Sequence, residues 1–121
     1  MKIRDLEVVI ENKRGSYKKF VDSLAEYPIL GVTFPTDYGF INGYLSEDGH
    51  DLDIFVGSGE LLGYLKMRRD EFPNGIETKV FIKVSEDELQ GIKKEYGPVL
   101  AAIQTLPSER EFIDYITQFR K

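Results

Sequence analysis

Three aspartates, Asp48, Asp51 and Asp53, fall within six positions around an Asp48-Gly49 turn. The turn brings their backbones together. On a strand beginning after it, Asp51 and Asp53 share one face. Carboxylates so crowded repel one another and raise each other's pKa unless a cation lies between them. Hard divalent ions take oxygen ligands of this kind. The competing reading is an acidic, solvated hairpin, since most aspartates are simply exposed. The chain's single histidine, His50, sits in the middle of the cluster. Three roles are open to it: a neutral surface residue, a ligand favouring softer divalent ions, or a general base with a pKa near 6.5.

The elements that must position these groups are legible from periodicity. Ile3, Leu6, Val8 and Ile10 keep one apolar face with a single slip, which predicts a strand carrying a bulge. Further strands are expected near 17–22, 28–34, 38–45 and 51–56, the last two enclosing the acidic turn. Residues 60–69 and 76–84 read as a hairpin joined by Phe72-Pro73-Asn74-Gly75, because Asn-Gly is a strong turn signal. Short strands at this spacing suggest a closed barrel. The last third turns helical. Ser85-Glu86-Asp87-Glu88 is a capping box opening a helix to Tyr96, stopped by Gly97-Pro98. A short apolar segment, Val99 to Ile103, follows. Ser108-Glu109-Arg110-Glu111 reads as a second capping box opening a terminal helix whose Phe112, Ile113, Tyr115, Ile116 and Phe119 form one apolar face, expected to pack as core.

At 121 residues the chain is expected to form one domain, 1–121, able to bury a core without staples. It contains no cysteine, which excludes disulfides and thiol chemistry and points to a reducing compartment. No apolar run approaches a membrane span and no charged-then-apolar leader is visible, so a cytoplasmic protein without a membrane partner is expected. A net charge of −5 disfavours nucleic acid as a partner. A polyanionic substrate would need a local basic patch or a bound metal to draw it in.

The sequence resembles a known family at its most informative stretch. Phe34-Pro35-Thr36-Asp37-Tyr38-Gly39, followed at unbroken spacing by Asp48-Gly49-His50-Asp51-Leu52-Asp53, is similar to the tyrosine-proline-x-asparagine-tyrosine-glycine run and the D-G-D-P-x-D motif of soluble inorganic pyrophosphatases. Upstream, Val8-Val9-Ile10-Glu11 and Lys13-Arg14-Gly15-Ser16 look like that family's opening strand and basic Gly-Ser segment. The resemblance is close over residues 5–83 and loose beyond. It implies a mainly β fold with some α: an OB-like five-stranded β-barrel with peripheral helices.

The resemblance also implies chemistry. Pyrophosphate hydrolysis needs neutralised phosphate oxygens, an activated water and cations on the leaving phosphate. Position by position, Asp48, Asp53 and Glu77 match metal ligands for Mg2+, or alternatively Mn2+. Asp70 supplies a further metal carboxylate if one residue is inserted after Gly63-Tyr64-Leu65-Lys66-Met67; without the insertion Arg69 takes that slot. Glu11 matches an active-site glutamate. Lys19, Tyr38 and Lys79 match phosphate ligands, and Arg120 stands where the family has a lysine clamp. Glu77 and Lys79 lie two apart, so a strand would turn both to one face. Tyr17-Lys18-Lys19 is equally the pattern of a solvated edge, and Tyr38 that of a half-buried aromatic.

Several positions depart from the pattern. His50 replaces the family's middle aspartate, which orients the attacking water, and Asp51 replaces its proline. Asp51 is a candidate to rebuild the lost carboxylate, although a one-residue shift on a strand flips the side chain. Glu26 stands where the family has a phosphate-gripping arginine, and Val21 where it has a glutamate. The leading expectation is therefore metal-dependent hydrolysis of pyrophosphate or a related phosphoanhydride, slowed by these changes, with His50, Asp51 and Asp53 tuning the water. The rivals are a catalytically silent relative binding phosphate or a divalent metal, and a hydrolase of another phosphoryl substrate. A homo-oligomer is compatible with each.

Overall fold

The computed structural model describes residues 2–19, 30–69 and 75–121. In chain order the elements are β1 (Lys2–Ile3), β2 (Leu6–Asn12), β3 (Tyr17–Lys19), β4 (Gly31–Thr33), β5 (Asp37–Leu45), β6 (Asp51–Val56), β7 (Leu61–Arg68), β8 (Ile76–Val84), α1 (Glu86–Tyr96), β9 (Leu100–Thr105) and α2 (Glu109–Thr117). Seven strands form one mixed sheet in the order β1-β2-β5-β6-β8-β7-β9, and β3 pairs with β4 in a separate ribbon. The mainly β architecture with peripheral helices is the one expected. The run β2-β5-β6-β8-β7 supplies five strands, and β1 and β9 extend it at either end.

Both additions have local causes. The slip between Ile3 and Leu6 is a two-residue turn, not a bulge: Ile3 pairs with Leu6, and Arg4 adopts φ 54° to make the reversal. The bulge lies further on, where the β2–β5 register shifts between Ile10 and Asn12 and leaves Glu11 as the extra residue. The apolar segment after α1 becomes β9 by pairing antiparallel with β7, Leu65 opposite Ile103. Its alanines carry weak strand preference, so only the free edge of β7 makes it a strand.

Strands β6 and β8 are buried on both faces, which gives them near-continuous apolar runs rather than alternation. Phe55 and Phe81 face one core, built with Val32, Phe34, Leu65, Met67 and the α1 residues Leu89, Ile92 and Tyr96. Ile54, Val80 and Ile82 face the other, with Val8, Ile41, Leu52 and the α2 residues Phe112 and Ile116. Each helix thus covers one side. Ser85 caps α1 in a complete capping box with Glu88, and the Ser108 hydroxyl accepts from the Glu111 N–H at the start of α2. Burying a side chain such as Phe112 or Ile116 contributes about 1.5–3 kcal/mol, and this holds the helices to the sheet. No helix among the described residues is long and apolar enough to cross a membrane.

Candidate active site

The site grows from register. In the antiparallel β5–β6 pair, Phe40 lies opposite Asp53 and Tyr38 opposite Phe55. In the parallel β6–β8 pair, Phe55 lies beside Phe81. Two residues earlier on each strand, Asp53 and Lys79 therefore stand level on the same face. Close approach of β2 to β5 requires Gly39, since a side chain there would run into the Val9 carbonyl.

Lys79 is the hub. Its Nζ donates to Tyr38 Oη at 2.6 Å, Asp53 Oδ2 at 2.7 Å and Glu77 Oε2 at 3.1 Å. The Tyr38 hydroxyl in turn donates to Asp53 Oδ2 at 2.7 Å. Burial by itself would lower the lysine's pKa, but Tyr38, Asp53 and Glu77 outweigh it and hold the group well above its ordinary value. Burial likewise raises the Tyr38 phenol well above its ordinary value, partly opposed by Lys79 and reinforced by Asp53. At neutral pH Lys79 is an ammonium and Tyr38 a neutral phenol. Glu77 is buried, and its other oxygen, Oε1, accepts from Arg69 at 2.5 Å.

The acidic turn forms the opposite wall. Gly49 takes φ 81°, a conformation a side chain would strain, and its N–H donates to the Ser46 carbonyl at 3.0 Å. Asp48 Oδ1 accepts from the His50 backbone N–H at 2.9 Å, while Oδ2 lies 3.4 Å from His50 Nδ1. The imidazole itself is 85% exposed. Between the two walls lies an open cleft of about 560 Å³. Glu11, Asp48, His50, Asp51, Asp53 and Glu77 all line it. The bulge at Glu11 accounts for a glutamate from the far strand reaching this face.

Other expected residues lie elsewhere. Lys19 is exposed on the β3–β4 ribbon and does not line the cleft. Arg120 is exposed in a bridge to Tyr44, and the neighbouring Lys121 lines the cleft instead, its backbone N–H held by the Gly43 carbonyl at 2.9 Å. A strand-like bridge turns successive side chains to opposite sides, so one step decides which cation enters. Tyr38 and Lys79 sit behind the lining, reaching it through Asp53. Asp70, Glu26 and Val21 lie outside the described residues. Arg69 lines the cleft. Lys121 carried no signal beyond its adjacency to Arg120.

The donor chemistry suits a hard divalent cation, because Asp48, Asp53, Glu77, Glu11 and Asp51 offer only carboxylate oxygens. The side chains are not gathered for one: among the described residues no three His, Cys, Asp or Glu converge as a metal-holding group. Lys79 and Arg69 occupy oxygens of Asp53 and Glu77. An entering cation would exchange with these two.

The family model for inorganic pyrophosphatase matches residues 1–88. The chain belongs to the inorganic pyrophosphatase family. The match spans the acidic turn, Tyr38, Glu77, Lys79 and Arg69, and it stops before Lys121. A crystal structure of inorganic phosphatase from Anaplasma phagocytophilum is 20% identical, with a TM-score of 0.38 over 94% of this chain and 70% of that one. No curated protein matches the chain. Pyrophosphate hydrolysis is the family's reaction, and divalent-metal dependence is its general habit.

Proposed function

We propose that this cleft hydrolyses inorganic pyrophosphate to phosphate with a divalent cation, Mg2+ or Mn2+, at a rate limited by His50. One observation carries the reading: carboxylates of Asp48, Asp53 and Glu77 and the cation of Arg69 line a single cleft large enough for pyrophosphate, and Lys79 is bonded to Asp53 and Glu77 just behind it. In the reaction, water attacks one phosphorus, the bridging P–O bond breaks, and the departing phosphate takes up the water's proton. Asp48, Asp53 and Glu77 would hold the cation, which supplies charge neutralisation and a more acidic water. Lys79, Arg69 and Lys121 offer charge-assisted hydrogen bonds to phosphate oxygens. Tyr38 steadies Asp53 and Lys79. His50, beside Asp48, would relay the water's proton to the departing phosphate, with a weaker field than a carboxylate would give. An acidic chain without cysteine suits a cytoplasmic protein that takes a small-molecule substrate rather than nucleic acid or membrane.

A second reading has its own support. Asp53 and Glu77 are already satisfied by Lys79 and Arg69, and the water-orienting aspartate is replaced by His50. That combination suits a silent relative that binds phosphate or a divalent metal. Calorimetry with Mg2+ and Mn2+, followed by phosphate release from pyrophosphate, separates the two. Metal binding that Asp48→Asn and Asp53→Asn each weaken, together with slow phosphate release, supports hydrolysis. Binding without release selects the silent relative. No metal binding at millimolar concentration removes the basis of the hydrolytic reading.

A further inference from the structure

Glu47 adjoins the acidic turn yet does not line the cleft. Its carboxylate is bound to β8 instead. Oε1 accepts from the Thr78 backbone N–H at 2.9 Å and from Ser46 Oγ at 2.7 Å, and Oε2 accepts from Thr78 Oγ1 at 2.6 Å. Thr78 is fully buried and lies between Glu77 and Lys79, so strand alternation turns its side chain to the opposite face of β8. The parallel β6–β8 pairing begins only at Ile54 and Val80. At Thr78, β8 is not yet paired with β6, and the glutamate supplies the acceptor that the neighbouring strand would have supplied. Burial pushes the Glu47 pKa up, but hydrogen bonds from Thr78 and Ser46 outweigh it and hold the group below its ordinary value. The Tyr115 hydroxyl is buried nearby, its pKa raised to about 12 by burial and by the neighbouring Tyr64.

The two walls of the cleft are carried by different strands. Asp48 and His50 belong to the turn, whose own hydrogen bonds, Ser46 N–H to His50 carbonyl and Gly49 N–H to Ser46 carbonyl, close only on itself, and Asp51 opens β6 directly after it. Glu77 and Lys79 belong to β8. Glu47 is covalently next to Asp48, and Thr78 is covalently next to both Glu77 and Lys79. We propose that Glu47 is a positioning residue: its two-oxygen bond to Thr78 clamps the acidic turn to β8 and sets the spacing between the wall that carries Asp48 and the wall that carries Glu77 and Lys79. This rests on the reading of the cleft as a pyrophosphate site. A carboxylate suits the task because it accepts from the amide and the hydroxyl at once, and charge-assisted bonds are the shorter and stronger kind. The remaining cross-link, Ser46 Oγ to the Thr78 carbonyl at 3.1 Å, holds one point and leaves the turn a pivot.

The test compares the intact protein with Glu47→Ala, Glu47→Gln and Thr78→Val in two measurements. The first is steady-state pyrophosphate hydrolysis with Mg2+. A misplacement of about 1 Å can cost about a hundredfold in rate, so Glu47→Ala is expected to lower kcat ten- to a hundredfold, on the order of that figure, with a smaller change in KM. Glu47→Gln keeps an oxygen for the Thr78 amide and can donate to its hydroxyl, so it should recover most of the loss. Thr78→Val, which keeps the amide but removes the hydroxyl, should fall between. The second measurement is amide hydrogen exchange across residues 48–51. Exchange there should quicken in Glu47→Ala and not in Glu47→Gln, while α1 stays protected. Should wild type fail to turn over pyrophosphate, the hydrolytic reading falls and the exchange result alone decides the clamp. Unchanged exchange in the turn overturns the proposal. So does a lowered Tm with kcat and KM unchanged, which is what a merely structural glutamate would give.

Discussion

Two buried carboxylate centres in this molecule are satisfied in opposite ways. Glu88, in the first turn of α1, accepts from the backbone N–H groups of Ser58 at 2.9 Å and Ser85 at 2.8 Å and from the Ser58 hydroxyl at 3.1 Å. Arg14 completes the set at 3.3 Å. Its main partners belong to the fold and cannot leave. Glu77 and Asp53 are satisfied chiefly by cationic side chains, Lys79 and Arg69, which can be exchanged for another cation. The first arrangement pins a helix to a loop; the second is the kind a metal or a phosphate can rearrange. Burial by itself does not separate the two centres. The identity of the donors does.

Removing Lys79 should break the comparison most severely. Lys79→Ala removes the cation that Asp53 and Glu77 share, leaving them to Tyr38 and Arg69, and breaking a buried pair costs up to about 3–5 kcal/mol. Urea denaturation of this variant should show the loss. Millimolar Mg2+ should restore more stability to it than to wild type, because the ion occupies the place the ammonium left. Equal effects of Mg2+ on both proteins would mean that the two acids are as structural as Glu88.

Exchangeable partners matter only if the chemistry beside them is limited by something else. His50→Asp should therefore raise pyrophosphate turnover with Mg2+ by about a hundredfold, the lower end of what a positioned base contributes. Phosphate release assays measure it directly. A slower His50→Asp enzyme would make the imidazole a working base rather than the weak point.

Glu88 should behave as the fixed member of the pair. Glu88→Ala strands two backbone N–H groups and is expected to cost about 1–3 kcal/mol of stability, with divalent-ion affinity unaltered by calorimetry. Burial raises its pKa, but hydrogen bonds from Ser58 and Ser85 prevail and hold it below the ordinary value of 4.5. Its contribution is thus complete above that value and is lost as pH falls through the lower folded pKa. Glu88→Gln should flatten the stability curve over that acid window. The smallest effect belongs to Arg14→Gln. The arginine side chain is 63% exposed, and such pairs contribute about 0–1 kcal/mol. A larger loss would make Arg14, not the backbone, the real partner of Glu88.

Much of the fold was open to reading along the chain. Ser85 and Ser108 announced both helix starts, because a cap is a contact between residues three apart. The acidic turn was equally plain, since Asp48-Gly49 makes it locally and Gly49 takes the positive φ it needs. The pairing of β7 with β8 followed from two apolar strands either side of a turn signal. Strand β9 was not visible, because its alanines hold no preference until β7 offers an edge.

The sequence by itself determined the family, the strand–turn–strand that carries Asp48, Asp51 and Asp53, and the shared face of Glu77 and Lys79, all set by short-range sterics and a period of two. Only the tertiary structure decided which cations meet those acids. It placed Arg69 and Lys121 at the cleft, left Lys19 on a separate ribbon and Arg120 outside, and turned Glu11 inward at a bulge. It also buried Lys79 among three partners and joined Glu47 to Thr78, 31 positions away. Such contacts depend on the register between strands distant in sequence. One residue of slip there reverses which face a side chain takes, and no local pattern records it.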